Sequence, residues 1–106
     1  MENPYIIVLV TTASRQEAET IAQHLLKEKL IACANILGPV TSHFHWFGKI
    51  ERSEEFLMIL KSRMDLFRKL SEAVREMHSY EVPEIIALPV AAGSMPYLDW
   101  MNDSLK

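Results

Sequence analysis

His78, Tyr80 and Glu84 lie close together in the chain, and an imidazole, a phenol and a carboxylate so spaced can converge after a short turn. Such a cluster suits binding of a small ligand, or acid–base work if a reactive partner stands nearby. Lys61 could add a cation and Trp46 an aromatic wall, which makes Trp46, Lys61, Tyr80 and Glu84 a candidate small-ligand site. The competing reading is structural: Glu84 and Lys61 form an ion pair and Tyr80 staples subunits together.

His43 and His45 offer a second kind of chemistry. Residues two apart on a strand point to the same face, so the two imidazoles could pinch one metal ion. A third ligand from the partner strand, Glu51 or Glu54, would be required, and copper heads the divalent order at a nitrogen-rich site. The alternative is an exposed polar face. Cys33 sits between Ala32 and Ala34 in an apolar stretch, where a free cysteine is usually a small buried hydrophobe. His24 falls among the solvent-facing residues of a helix. The chain holds no Walker loop, no Gly-rich dinucleotide turn, no zinc-enzyme HExxH and no serine-nucleophile elbow, so enzyme chemistry ranks below binding.

These residues are set on a regular alternation of elements. Tyr5 to Val10, followed by Thr11-Thr12, reads as a central strand covered on both faces. Ser14 to Glu17 spells a capping box, and Ala18, Ile21, Ala22, Leu25 and Leu26 follow at helical spacing. Leu30 to Ile36 and Val40 to Phe47, separated by Gly38-Pro39, form one long bent strand, and Gly48-Lys49 offers a turn. Ile50 to Lys61 returns as the hairpin partner, its polar first half, with Glu51, Arg52, Glu54 and Glu55, facing solvent or another chain. Ser62 to Asp65 repeats the capping signature before a second helix with the apolar stripe Leu66, Phe67, Leu70, Ala73, Val74 and Met77, ending near His78. Val82 to Val90 is the last strand. Its two prolines, Pro83 and Pro89, put their missing N–H groups on one side, which only an edge strand tolerates. Ser94 and Pro96 open a short terminal helix.

The order predicts an α+β fold, a ferredoxin-like βαββαβ antiparallel sheet with two helices on one face plus a short C-terminal helix, in a single domain over residues 1–106. Strands one and three should be central. A chain of 106 residues, 49% hydrophobic and 24% charged, can bury a real core without staples. The net charge of −3 gives no basic patch for nucleic acid, no apolar run is long enough for a membrane helix, and one cysteine with no basic leader points to the cytoplasm. Residues 31 to 47, fully extended, would span roughly 50 Å, while a domain this size has a radius of gyration near 13 Å. The hairpin should therefore overhang, and its Phe44, Trp46 and Phe47 ask for cover by another subunit.

Four separated motifs, Ala32-Cys33-Ala34-Asn35-Ile36, Trp46 with Gly48 and Ile50, His78 to Ile85, and Tyr97-Leu98-Asp99-Trp100, resemble the CutA family of divalent-cation-tolerance proteins. The resemblance covers essentially the whole chain, with Tyr80-Glu81-Val82-Pro83-Glu84 its most specific element. It implies a homotrimer whose hairpins clasp neighbouring subunits, much as in PII-type signalling proteins, and a non-enzymatic role in divalent-ion tolerance with weak binding of copper or another divalent cation. A PII-like sensor or adaptor with a small-ligand cleft between subunits is the alternative. Copper ligands assigned in some members match Val10, Met77 and His78 here, of which His78 is the good imidazole ligand. The family usually reads His-Pro-Tyr where this chain reads His78-Ser79-Tyr80, so the resemblance expects a proline-compatible turn at Ser79.

Overall fold

The computed structural model of the protein describes residues 4–106. Eight residues form β1 (Tyr5–Thr12), whose even-numbered side chains are buried and whose odd-numbered ones are half-exposed. The helix α1 (Arg15–Lys27) starts as its capping box predicts, with Ser14 Oγ accepting from the Glu17 amide at 3.1 Å. A long hairpin follows, β2 (Cys33–Trp46) and β3 (Lys49–Arg63), and then a 3-10 turn (Met64–Leu66) leads into α2 (Phe67–Met77). The strand β4 (Ile85–Pro89) and the helix α3 (Met95–Ser104) complete the chain.

All strand pairs are antiparallel, in the order β2-β3-β1-β4, so β1 and β3 are central as the ferredoxin-like order requires. The core forms between one sheet face, with Ile6, Val8, Val10, Met58 and Leu60, and the helix stripes of Ile21, Leu25, Leu70 and Val74. Leu98, Met101 and Leu105 from α3 and its end join the same cluster.

Three local expectations give way to tertiary context. Ser62 does not cap a helix: it lies buried in β3, and its hydroxyl donates to the Leu30 carbonyl at 2.7 Å. Strand pairing with Tyr5 and Ile6 carries β3 through to Arg63, where an ion pair to Asp65 at 2.9 Å takes up the acid of the supposed box. Pro83 lies outside β4, which keeps Pro89 as its last residue, so the edge position rests on one proline rather than two. Cys33 is half-buried rather than core, because its register partner is Lys61 on the sheet face turned away from the helices.

One register shift controls the long hairpin. Leu37 pairs with Leu57 and Val40 with Glu55, so β2 advances three residues while β3 advances two. The extra residue is accommodated at Gly38-Pro39, a cis peptide, and it reverses which side chains face which way. Before the bulge, Asn35 and Leu37 lie on the outer face; after it, Val40, Ser42, Phe44 and Trp46 do, opposite Glu55, Ser53, Glu51 and Lys49. The hairpin closes through Phe47 and Gly48, both at positive φ (50° and 75°), the two-residue geometry whose twist matches the flanking strands. The molecule extends 44 Å along its longest axis against 26 and 23 Å across it, as an overhanging ribbon demands.

Candidate functional site

Where the outer face of the hairpin meets the turn after α2, a groove of about 840 Å³ opens, lined by Thr11, Phe44, Trp46, Glu55, Tyr80 and Glu84 among others. β3 supplies its floor. Glu55 shares the outer face with Leu57 and Ile59, and it is only 8% exposed. Its Oε2 accepts a hydrogen bond of 2.8 Å from the Tyr80 hydroxyl. Burial, reinforced by the Glu55 hydrogen bond and charge, pushes the Tyr80 phenol up to about 12, so it stays protonated and donates. The Glu84 carboxyl is also raised, first by burial and then by the charge of Glu55.

The turn that delivers Tyr80 and Glu84 is fixed by His78. Its side chain is fully enclosed; Nε2 donates to the Thr11 carbonyl at 2.7 Å, and Nδ1 accepts from the Tyr80 amide at 3.0 Å. A carbonyl cannot donate and an amide N–H cannot accept, so these bonds select the Nε2–H tautomer and occupy both ring nitrogens. No lone pair is left for a metal in this arrangement, which makes His78 a positioning residue and removes it from the metal candidates. Met77 packs against the core cluster. The carboxylate of Glu17, on α1, secures the same turn from the other side: Oε2 accepts from the Ser79 amide at 2.7 Å and Oε1 from the Ser79 hydroxyl at 3.1 Å.

The Ser79 contacts reverse the expectation of a proline-compatible turn. His78 already has φ −78° and ψ 142°, values that a following proline accepts. The obstacle is the Ser79 N–H, which proline would delete from a charge-assisted bond. That loss, about 1.5 to 3 kcal/mol, outweighs the 0.4 to 1 kcal/mol (roughly) that proline gains through the unfolded chain. Ser79→Pro is therefore expected to lower stability by about 1 kcal/mol, with Ser79→Ala less harmful, as read by urea unfolding midpoints; a stabilised proline variant would contradict the Glu17 contact.

Lys61 does not join the groove. Its Nζ donates to Asn35 Oδ1 at 2.7 Å, stands 3.8 Å from Cys33 Sγ and lies 5.9 Å from the Tyr97 ring centre. Lys61 pairs with Ile7 while Ile85 pairs with Val10, an offset of about 10 Å along β1, and Glu84 precedes Ile85 one step further from Lys61, so the two charges form no ion pair. His43 and His45 do share a ribbon face, as alternation requires, but their register partners are Arg52 and Ile50, neither a ligand. Glu51 stands on the other face with Phe44; Glu54 is the acid on theirs. Among the described residues no group of three His, Cys, Asp or Glu side chains converges as a metal cage.

Glu17 and Glu55 are the residues that sequence reasoning missed. In the sequence Glu55 belongs to a polar run that faces solvent or another chain, although its period-two alignment with Leu57 and Ile59 signals a shared face. The capping box by itself gives Glu17 a role at the start of α1, and nothing local in the sequence links it to Ser79.

The sequence pattern of a family described as CutA1 divalent ion tolerance protein matches residues 6–104. The divalent-cation tolerance protein CutA of Thermus thermophilus is 43% identical over 98 residues, covering 92% of this chain and 95% of that protein. A chloroplastic protein CutA of Arabidopsis thaliana is 41% identical over 97% of this chain, which spans 57% of that longer protein. The solved structure of a periplasmic divalent cation tolerance protein CutA from Archaeoglobus fulgidus superposes with a TM-score of 0.93 at 42% identity, covering 96% of this chain and 99% of that one.

Proposed function

The chain belongs to the CutA1 divalent ion tolerance protein family, and from that premise we propose that it acts as a non-enzymatic homotrimer that binds copper weakly through His43 and His45. One observation carries the assembly. The sheet face turned away from the helices presents Leu37, Ile86 and Leu88, each 44 to 50% exposed, beside Ile7, Leu9 and Ile59. Such a surface is too apolar and too continuous to stay in water, and covering each of the exposed three gains about 1 kcal/mol. The ribbon adds exposed apolar groups on both its faces and at its tip: Trp46, Ile50 and Phe47 are 52, 74 and 87% exposed.

The copper assignment follows from what each imidazole is free to do. His78 is committed to backbone bonds and His24 stands alone on α1, whereas His43 and His45 are exposed and share a face. Two nitrogens without a third strong ligand give modest affinity, lost as the imidazoles protonate. A role by binding rather than catalysis suits a site whose acids and bases hold one another. A cytoplasmic location is part of the same reading, supported by the free thiol of Cys33; no helix among the described residues is long and apolar enough to cross a membrane.

Sedimentation equilibrium at micromolar concentration should return three subunits, and calorimetry should show Cu(II) uptake that disappears in His43→Ala/His45→Ala. A stable monomer, or a double variant with unchanged copper uptake, would refute the respective half. A second reading, a PII-like sensor with a small ligand near Trp46, Tyr80 and Glu84, is favoured by the groove itself, whose aromatic wall and convergent polar groups are the ordinary make-up of a ligand site.

A further inference from the structure

We infer that His43 and His45 hold a soft monovalent cation, Cu(I), in preference to Cu(II) or Zn(II), with the ion in line between the two imidazoles. The inference rests on reading the pair as the copper site, and it names the oxidation state that the pair selects.

The strand register fixes what surrounds the pair. On this ribbon face Thr41 stands opposite Glu54, His43 opposite Arg52 and His45 opposite Ile50. The acid therefore lies diagonal to His43 on the side away from His45, and it does not stand between the two rings. Both histidines are exposed, and neither makes a hydrogen bond or an ion pair with another described residue, so their ring nitrogens are open to a metal as those of His78 are not. Residues two apart on a strand are separated by about 7 Å. Two metal–nitrogen bonds of about 2 Å each, set in line, span about 4 Å, a gap that two rings close by leaning toward one another.

Two neutral nitrogens complete the ligand set of only one kind of ion. Zn(II) takes four ligands in a tetrahedron and Cu(II) four in a square, and among the described residues no group of three His, Cys, Asp or Glu side chains converges to begin either set. Water would fill the remaining positions, which leaves those ions weakly held. Cu(I) has a filled d shell and a single charge, imposes no such plane, and is satisfied by two nitrogens in line. The neighbours widen the difference. The Arg52 guanidinium, opposite His43, repels a dication twice as strongly as a monocation at the same distance. Ile50 puts an apolar side chain where a third ligand beside His45 would stand.

The thiol of Cys33 competes for the same soft ion, so the test uses the full chain carrying Cys33→Ser. Cu(I), supplied without oxygen as its acetonitrile complex, is titrated in competition with bicinchoninate; Cu(II) and Zn(II) are titrated separately by calorimetry, and the His43 and His45 ring resonances are followed by NMR. Cu(I) should shift both rings at one ion per subunit and bind about 100-fold or more tightly than either dication. His43→Ala and His45→Ala should each remove most of the Cu(I) affinity, since a single imidazole is not a two-coordinate set. Two further substitutions at exposed positions probe the surroundings. Ile50→His, which sets a third nitrogen opposite His45, should raise Zn(II) affinity about tenfold or more with little change for Cu(I), and Arg52→Gln should favour the dications over Cu(I) severalfold. Equal affinity for Cu(I) and Cu(II) would overturn the selection while leaving a copper site in place. Cu(I) uptake that survives both alanine substitutions would put the ion elsewhere and overturn the selection and the site together.

Discussion

His78→Ala should cost about 3 to 5 kcal/mol of stability while leaving copper uptake intact. The substitution removes an enclosed ring and strands two backbone groups, the Thr11 carbonyl and the Tyr80 amide, that no water reaches easily. Against a typical domain stability of about 5 to 15 kcal/mol, that is a large fraction. The loss should extend to the groove, since Tyr80 reaches Glu55 only from the turn that the imidazole holds. His78→Gln, whose amide keeps one donor and one acceptor, should recover part of the stability. Urea unfolding and copper calorimetry on the same preparations separate the roles. A variant of full stability that no longer takes up copper would mean that the ring is a metal ligand after all.

Gly38→Ala should destabilise by about 1 to 3 kcal/mol and weaken assembly, because a Cβ at Gly38 runs directly into the Phe56 ring. That ring has little room to yield. The Arg15 guanidinium lies 5.0 Å from its centre and donates to the Gly38 carbonyl at 3.1 Å, so ring, guanidinium and bulge form one packed unit. If β2 escaped the clash by slipping one residue, Phe44 and Trp46 would turn to the opposite ribbon face. Thermal unfolding, sedimentation and the exposure of Trp46 to a fluorescence quencher read the three consequences. An unperturbed melting point and assembly would show that the bulge does not depend on glycine.

The chain by itself determined the kind, order and central or edge placement of its elements, because these rest on local periodicity and chirality: the β-branched alternation of Tyr5 to Thr12, the Ser14 cap, and the apolar stripe from Leu70 to Val74 all survive folding. The Ser62 box did not survive, since pairing with β1 rewards continuing the strand more than a cap rewards ending it. The site was legible only in part. Trp46, Tyr80 and Glu84 line one groove without touching, and which residues stand between them depended on contacts distant in sequence. Tertiary structure alone decided that Glu55, and not Lys61, faces Tyr80, that Glu17 closes the turn at Ser79, and that His78 is spent on backbone bonds. It also decided the two faces of the ribbon. Side chains alternate with a period of two, so His43 and His45 oppose Phe44 and Trp46 in any register, but the single extra residue at Gly38-Pro39 decides that Phe44 and Trp46 take the outer face, and nothing local to those four residues records that choice.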